Sequence, residues 1–441
     1  MRARCAGLAV AVLLGAGLTA CADGFGAGED SWISAPEVFY LRPYGDGSGP
    51  KNKVSFHLRA EDGAVPDRTG PADHRLTMDL EGARGAVRLW VKTGHGCDGT
   101  DTRVVCQVGG LYDSWVESDR VYPVATKKGR PGDSARIRFS FTTKAGKKVT
   151  ARTRVVVGEP VLKLRSVRAG AAVRPGAQIG TSVVVRNTGE VPVRGLGLKL
   201  HAGESEFRQR YANCRYPEQM HGREAVCAFP DLRIAPGETV AVRPEVPLRA
   251  GKVRIFSEVS QEVWPLDVGP AKYSAVPDNG DRGDGPALTA KTLPDSGGGT
   301  FVQGIVRTPV TLDLHADFRV TANTLRVGKG REVHLKVADE GPGNPGGSGQ
   351  LRFTPPPGAV VREQPMEEID DDVYEPACDL DGGTYVCQVY EVDPGAERTF
   401  DFTLDVPEPG SGRVEFTMAS LETGGRDPDL SDNSAEVIVL P

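Results

Sequence analysis

Residues 182–200 read SVVVRNTGEVPVRGLGLKL, and they decide the fold. Apolar side chains alternate with polar or small ones on both sides of Asn187-Thr188-Gly189, the period of two that marks half-buried strands. Asn and Gly tolerate the left-handed backbone of a tight turn, so the stretch is read as two strands joined in a hairpin at that tripeptide. Beyond it come Cys214 and Cys227, the second inside V-C-A-F, and then Pro236-Gly237 turning the chain into E-T-V-A-V.

The same order recurs on both sides. Toward the C-terminus EVHLKVADEG precedes Cys378, V-C-Q-V carries Cys387, and PGAERTFDFTL follows. Toward the N-terminus KVSFHLRAEDG precedes Cys97, V-C-Q-V carries Cys106, and PGDSARIRFSF follows. One β-domain is drawn three times, as expected for 441 residues at roughly 100–150 per domain. Gly 55 and Pro 33 make up about a fifth of the chain, the usage of many short strands and turns. No stretch has helical periodicity. The expected units are residues 32–159, 160–293 and 301–441, with 294–300 as linker. The first copy is the most divergent. It carries GGLYDSWVESDRVYPVATKK between Cys106 and its Pro131-Gly132 turn, read as an insertion, and three of the four tryptophans.

The pattern V-x-V-x-N-T-G-x-x-P-V followed by P-G-E-T resembles bacterial immunoglobulin-like modules of the CARDB (cell-adhesion-related) type, over Ser182 to Val246. The first and third copies carry Glu61-Asp62-Gly63 and Asp339-Glu340-Gly341 at that turn and join the resemblance through the repeat. It implies tandem immunoglobulin-like β-sandwiches on an exported protein with an adhesive or scaffolding use. It names no ligand and no catalytic residue.

The N-terminus supplies the export signal. Arg2 and Arg4 precede GLAVAVLLGAGL, an apolar run too short for a membrane span. Two endings are open: Leu18-Thr19-Ala20-Cys21 as a lipobox, with Cys21 lipidated and residues 22–31 a flexible tether, or Ala20-Cys21-Ala22 as an A-x-A site with release before Asp23. The protein is therefore expected outside the cytoplasm, as a cell-surface lipoprotein held by its lipid anchor or as a secreted chain. The repeat pairs the remaining cysteines as Cys97–Cys106, Cys214–Cys227 and Cys378–Cys387, bonds that persist in an oxidising compartment.

Function classes narrow by what these residues lack. The formal net charge is -6 with no Lys/Arg-rich block, so nucleic acid has no electrostatic footprint. Gly341 to Gly346 spells G-x-G-x-x-G, but a strand rather than a helix follows, and its two prolines remove donors a pyrophosphate would need. The seven histidines, His57, His74, His95, His201 and His315 among them, are scattered, and no H-E-x-x-H or G-x-S-x-G is present. Glu367, Glu368, Asp370, Asp371 and Asp372 are a candidate calcium cluster, set against the ordinary reading of a solvated loop. Arg282-Gly283-Asp284 is read as a turn. Tyr112, Trp115 and Tyr122 form a candidate aromatic binding loop, set against the reading that they cover their own core.

The expected role is a non-catalytic, cofactor-free cell-envelope protein for adhesion, scaffolding or spacing, with an envelope protein or glycan as partner. The alternatives are a ligand- or glycan-binding protein using the aromatic loop, and an accessory part of an extracellular hydrolase system.

Overall fold

A computed structural model describes residues 32–45, 55–59, 74–91, 96–108, 116–117, 121–143, 146–167, 170–270, 276–277, 279–294, 298–371, 373–418 and 427–441. The architecture is all-β, sandwiches in tandem, with a single 3-10 turn among the described residues, at Glu218–Met220. Three separate hydrophobic cores form, each containing one cysteine pair.

The second unit shows the plan. Strand Val193–His201 sits inside a six-stranded sheet, between Glu224–Ile234 and Phe256–Pro265. Its Leu196, Leu198 and Leu200 are buried, as the period-two pattern requires. The facing layer comprises a five-stranded and a three-stranded sheet. Cys214 lies directly opposite Cys227 on neighbouring strands, and the other two pairs repeat that placement. All three disulfides are formed, with Cα–Cα distances of 4.0, 3.9 and 4.0 Å. Each staples a hairpin within one sheet; none bridges two sheets.

The Asn-Thr-Gly turn does not make the expected hairpin. Val184–Asn187 belongs to the five-stranded sheet and Val193–His201 to the six-stranded one, so the turn carries the chain between layers. Buried Asn187 holds it: Oδ1 accepts from Gly189 N at 3.0 Å, and Nδ2 donates to the Val191 and Ile234 carbonyls at 2.9 and 3.0 Å. The Asn187 carbonyl accepts from Gly237 N at 2.8 Å, which ties this turn to the Pro-Gly turn. The third unit repeats the knot with Asp339: Oδ1 accepts from Gly341 N at 3.0 Å, and its carbonyl accepts from Gly395 N at 2.7 Å.

The first unit departs from the expected repeat. Strands Thr239–Arg243 and Glu397–Val406, which follow the Pro-Gly turns of the other copies, lie in the sheet opposite the disulfide. Strand Ser134–Thr142, which follows Pro131-Gly132, lies in the same sheet as Cys97 and Cys106, against His74–Glu81. The Pro-Gly turn of this copy therefore sits later in the fold. The supposed insertion holds a strand of its own, Val121–Ala125, paired with Val87–Val91. Turn chemistry is local, and it does not report which strands it joins.

The boundary at 294–300 also moves. Phe301–Val302 pairs with Leu162–Arg165, and Val306–Thr311 pairs with Phe256–Pro265 along the edge of the second unit's sheet. Residues up to Leu312 thus complete the second sandwich, and the third core begins at Leu314 to Ala316. Its centre is aromatic, with Phe318 and Phe416 centroids 4.8 Å apart and Phe353 and Phe402 5.0 Å apart.

Candidate functional site

The sheet-crossing turns do a second thing: each seats the preceding unit. In the second unit, Glu190 N donates to the Glu159 carbonyl of the first unit at 3.0 Å, and Thr188 N holds the Val161 carbonyl, just inside the second unit, at 2.7 Å. Val191 packs with Val38 and Val156 of the first unit. Gly158 makes room for it at φ +93°, since a Cβ there would stand 2.7 Å from Val191 Cγ1. Beside this contact Tyr40 donates its hydroxyl to Asp267 Oδ2 at 2.6 Å, across the junction. Burial first, and then the Asp267 hydrogen bond and charge, push the Tyr40 phenol well above its ordinary value, so it stays a donor. A cleft of about 530 Å³ opens there, walled by Phe39, Tyr40, Glu262, Trp264 and Asp267. The Trp264 indole lies on Gly197, where any Cβ would overlap the ring.

The second junction is built by the equivalent turn of the third unit, the glycine-proline run read above as a false nucleotide motif. Asn344 N donates to the Val253 carbonyl at 2.9 Å, and Ile255 N donates to the Asn344 carbonyl at 2.8 Å, forming a parallel bridge between units. Ile255 belongs to the second unit by sequence, yet it is fully buried in the third unit's core. Gly343 lies against it, with room for no Cβ: Ile255 Cγ1 and Leu314 Cβ would each be 2.8 Å away. Asn344 Nδ2 reaches Glu391 Oε1 at 2.7 Å and Asp393 Oδ1 at 2.9 Å, and Arg254 pairs with Glu391 at 2.5 Å. The cleft beside it, about 360 Å³, is walled by Glu204, Arg223, Arg249, Lys252 and Arg254 among others, charges of both signs.

The residues singled out from sequence fall elsewhere. Tyr122 is buried in the first unit, its ring 5.8 Å from that of Trp90, and so covers its own core. Tyr112, Trp115 and Cys21 lie outside the described residues. Glu367, Glu368, Asp370 and Asp371 sit fully exposed along and just beyond Met366–Asp370, one strand of a two-stranded hairpin, and Asp372 is outside the described residues. Among the described residues no group of three or more His, Cys, Asp or Glu has a metal-holding arrangement. Arg282-Gly283-Asp284 is not a free loop: Asp281–Arg282 pairs with Cys214–Tyr216, and Gly283 N donates to the Cys214 carbonyl at 3.1 Å. Tyr40, Ile255 and Asn344 went unremarked in the sequence. Ile255 stands between Val253 and Phe256 in GKVRIF, where nothing in the sequence singles it out.

No protein-family model matches the chain, and no curated protein matches it in sequence. Solved structures that resemble it include the Escherichia coli adhesin FdeC, at 10% identity over 93% of this chain and 96% of that one, with a TM-score of 0.22. Another is the C-terminal domain of the Streptococcus agalactiae AgI/II polypeptide BspA, at 6% identity over 53% and 95%, with a TM-score of 0.18. Likeness at that level carries no argument about activity, and the fold stands on its own strand pairing. The class defined here is a stack of disulfide-stapled β-sandwiches whose junctions are built from repeated turns.

Proposed function

We propose that this is an exported, non-catalytic scaffolding or spacer protein of the cell envelope, used in adhesion and built from CARDB-type modules. The observation that carries the reading is the pair of fixed junctions. A string of independent binding modules needs only flexible linkers, whereas here backbone hydrogen bonds and a shared core residue fix one unit on the next. Three disulfides support an extracytoplasmic address. Attachment through Cys21 is part of the proposal, as is an envelope protein or glycan as partner.

The test is the distance between spin labels on the exposed faces of the first and third units, at Arg136 and Arg326. A spacer gives one narrow distribution that survives dilution and salt. A broad distribution spanning many ångströms would reject the reading. Alongside it, the mass of the mature N-terminal peptide separates a lipidated Cys21 in the membrane from a chain released before Asp23.

A further inference from the structure

The three units differ sharply in charge. Residues 32–159 carry 21 Lys and Arg against 15 Asp and Glu, and residues 160–312 carry 20 against 15. Residues 313–441 reverse the balance, with 10 against 26. The chain's formal charge of -6 therefore hides two positive units and a strongly negative one.

Strand pairing gathers the positive charge of the first unit on one face. Ile137, Phe139 and Val155 lie in the core, so Arg136, Arg138, Arg152 and Arg154 stand on the outer side of the six-stranded sheet. Arg136 lies directly opposite Arg154, and Arg138 directly opposite Arg152. Like charges placed that way repel across the sheet. Asp79 and Glu81 of the neighbouring strand pair with Arg138. Arg136 and Arg152 are exposed and have no ion-pair partner among the described residues.

The negative unit carries the counterpart. Met366–Asp370 and Val373–Pro376 form a two-stranded hairpin whose residues are all exposed. Glu367 lies directly opposite Glu375, a like-charge pair of the other sign, and Glu368 lies opposite Tyr374, which is 54% exposed. A guanidinium takes a carboxylate through paired hydrogen bonds and a tyrosine ring by stacking, so the hairpin offers both groups an arginine face can hold. Strand Phe256–Pro265 runs from the Ile255 junction to the Trp264 junction. Its length holds the first and third units about 30 Å apart, which keeps the two surfaces from meeting within one chain.

We infer that the acidic hairpin of one copy docks on the arginine face of a second copy, so that chains associate head to tail. The two surfaces in contact are different, so a docked pair still shows a free face at one end and a free hairpin at the other, and association proceeds beyond two copies. This goes beyond the spacer reading and does not depend on it.

The test is sedimentation velocity of full chains at about 0.02 M and about 0.3 M salt, between which the screening length falls from roughly 20 Å to 6 Å. Wild type should associate as its concentration rises, about tenfold more weakly at the higher salt. Arg136→Glu with Arg152→Glu reverses the face, and Glu367→Lys with Glu375→Lys reverses the hairpin. All four side chains are exposed, and an unchanged melting temperature checks that each variant folds. Either variant alone should be monomeric, because its face and its hairpin then share one sign. Mixed, the two should associate, and a chain with all four changes should associate by itself with the signs exchanged. The inference is overturned if wild type stays monomeric at low salt, if either variant still associates alone, or if the mixture does not pair. Phosphatidylglycerol vesicles supply the competing occupant: a chain that binds them through Arg136 and Arg152 while staying monomeric overturns the inference and assigns the face to lipid.

Discussion

The knot at Asp339 yields a prediction that can be worked from its counterpart. In the second unit Asn187 is satisfied on both sides of its amide. In the third unit Asp339 occupies the same place with 0% exposure, and its Oδ2, standing where Asn187 has Nδ2, has no partner. Burial, reinforced by the charges of Asp317 and Asp427, raises its pKa, although the Asp317 and Gly341 N–H groups pull it back. A carboxyl whose folded pKa is raised lends its full stability at low pH, and that stability is lost as pH climbs from the ordinary carboxylate value through the folded one. Asp339→Asn restores a donor at Oδ2, and the equivalent acceptors are the Gly343 and Val392 carbonyls. The gain at pH 7 is set by relief of an unsatisfied buried oxygen, about 1–3 kcal/mol. Hydrogen exchange of the full chain reads it by unit: protection of amides in Glu397–Val406 should rise about tenfold or more at pH 7. At pH 4 the difference should shrink. Equal protection at both pH values, or a loss at pH 7, would refute the reasoning.

Three further outcomes are expected. Tyr40→Phe removes the donor to Asp267 and should weaken the first junction by about 0.5–1.5 kcal/mol, more if the carboxylate is left dry; it should broaden the spin-label distance between the first and second units without lowering either unit's melting temperature. Gly343→Ala puts a methyl against Ile255 and Leu314, so new protease cuts are expected between residues 252 and 256, where wild type should stay uncut. Cys378→Ser with Cys387→Ser opens a loop of sequence separation 9 and should destabilise the third unit by roughly 2–3 kcal/mol in urea unfolding, with the first two transitions unmoved.

What was legible in the sequence is what local chemistry dictates. The alternation in SVVVRNTG and EVHLKV gave the strands, and Asn187 and Asp339 marked turns because their side chains accept from the glycine two residues on. The repeat gave the disulfides, two cysteines to a copy, and the partners lie opposite each other on a hairpin. Which sheet a strand enters was not legible. Strand Ser134–Thr142 has the same alternation in either layer, so its Pro-Gly turn suggested an equivalence the pairing does not support. The boundary at 294–300 was misplaced because Gly and Ser in a surface crossing look like Gly and Ser in a linker. Tyr40 and Ile255 were invisible because their partners, Asp267 and Phe318 with its neighbours, lie in other units.

The position of Ile255 sets an order of events for a chain that crosses a membrane from its N-terminus. The second sandwich closes only when Val306–Thr311 has emerged, and Ile255 waits exposed until the third unit's core forms around it. The two C-terminal units therefore mature together, while the first can finish before them. A chain stalled or clipped shortly after residue 311 would display a complete second unit with a naked isoleucine at its tip, a form that quality-control proteases and holding chaperones could recognise as unfinished.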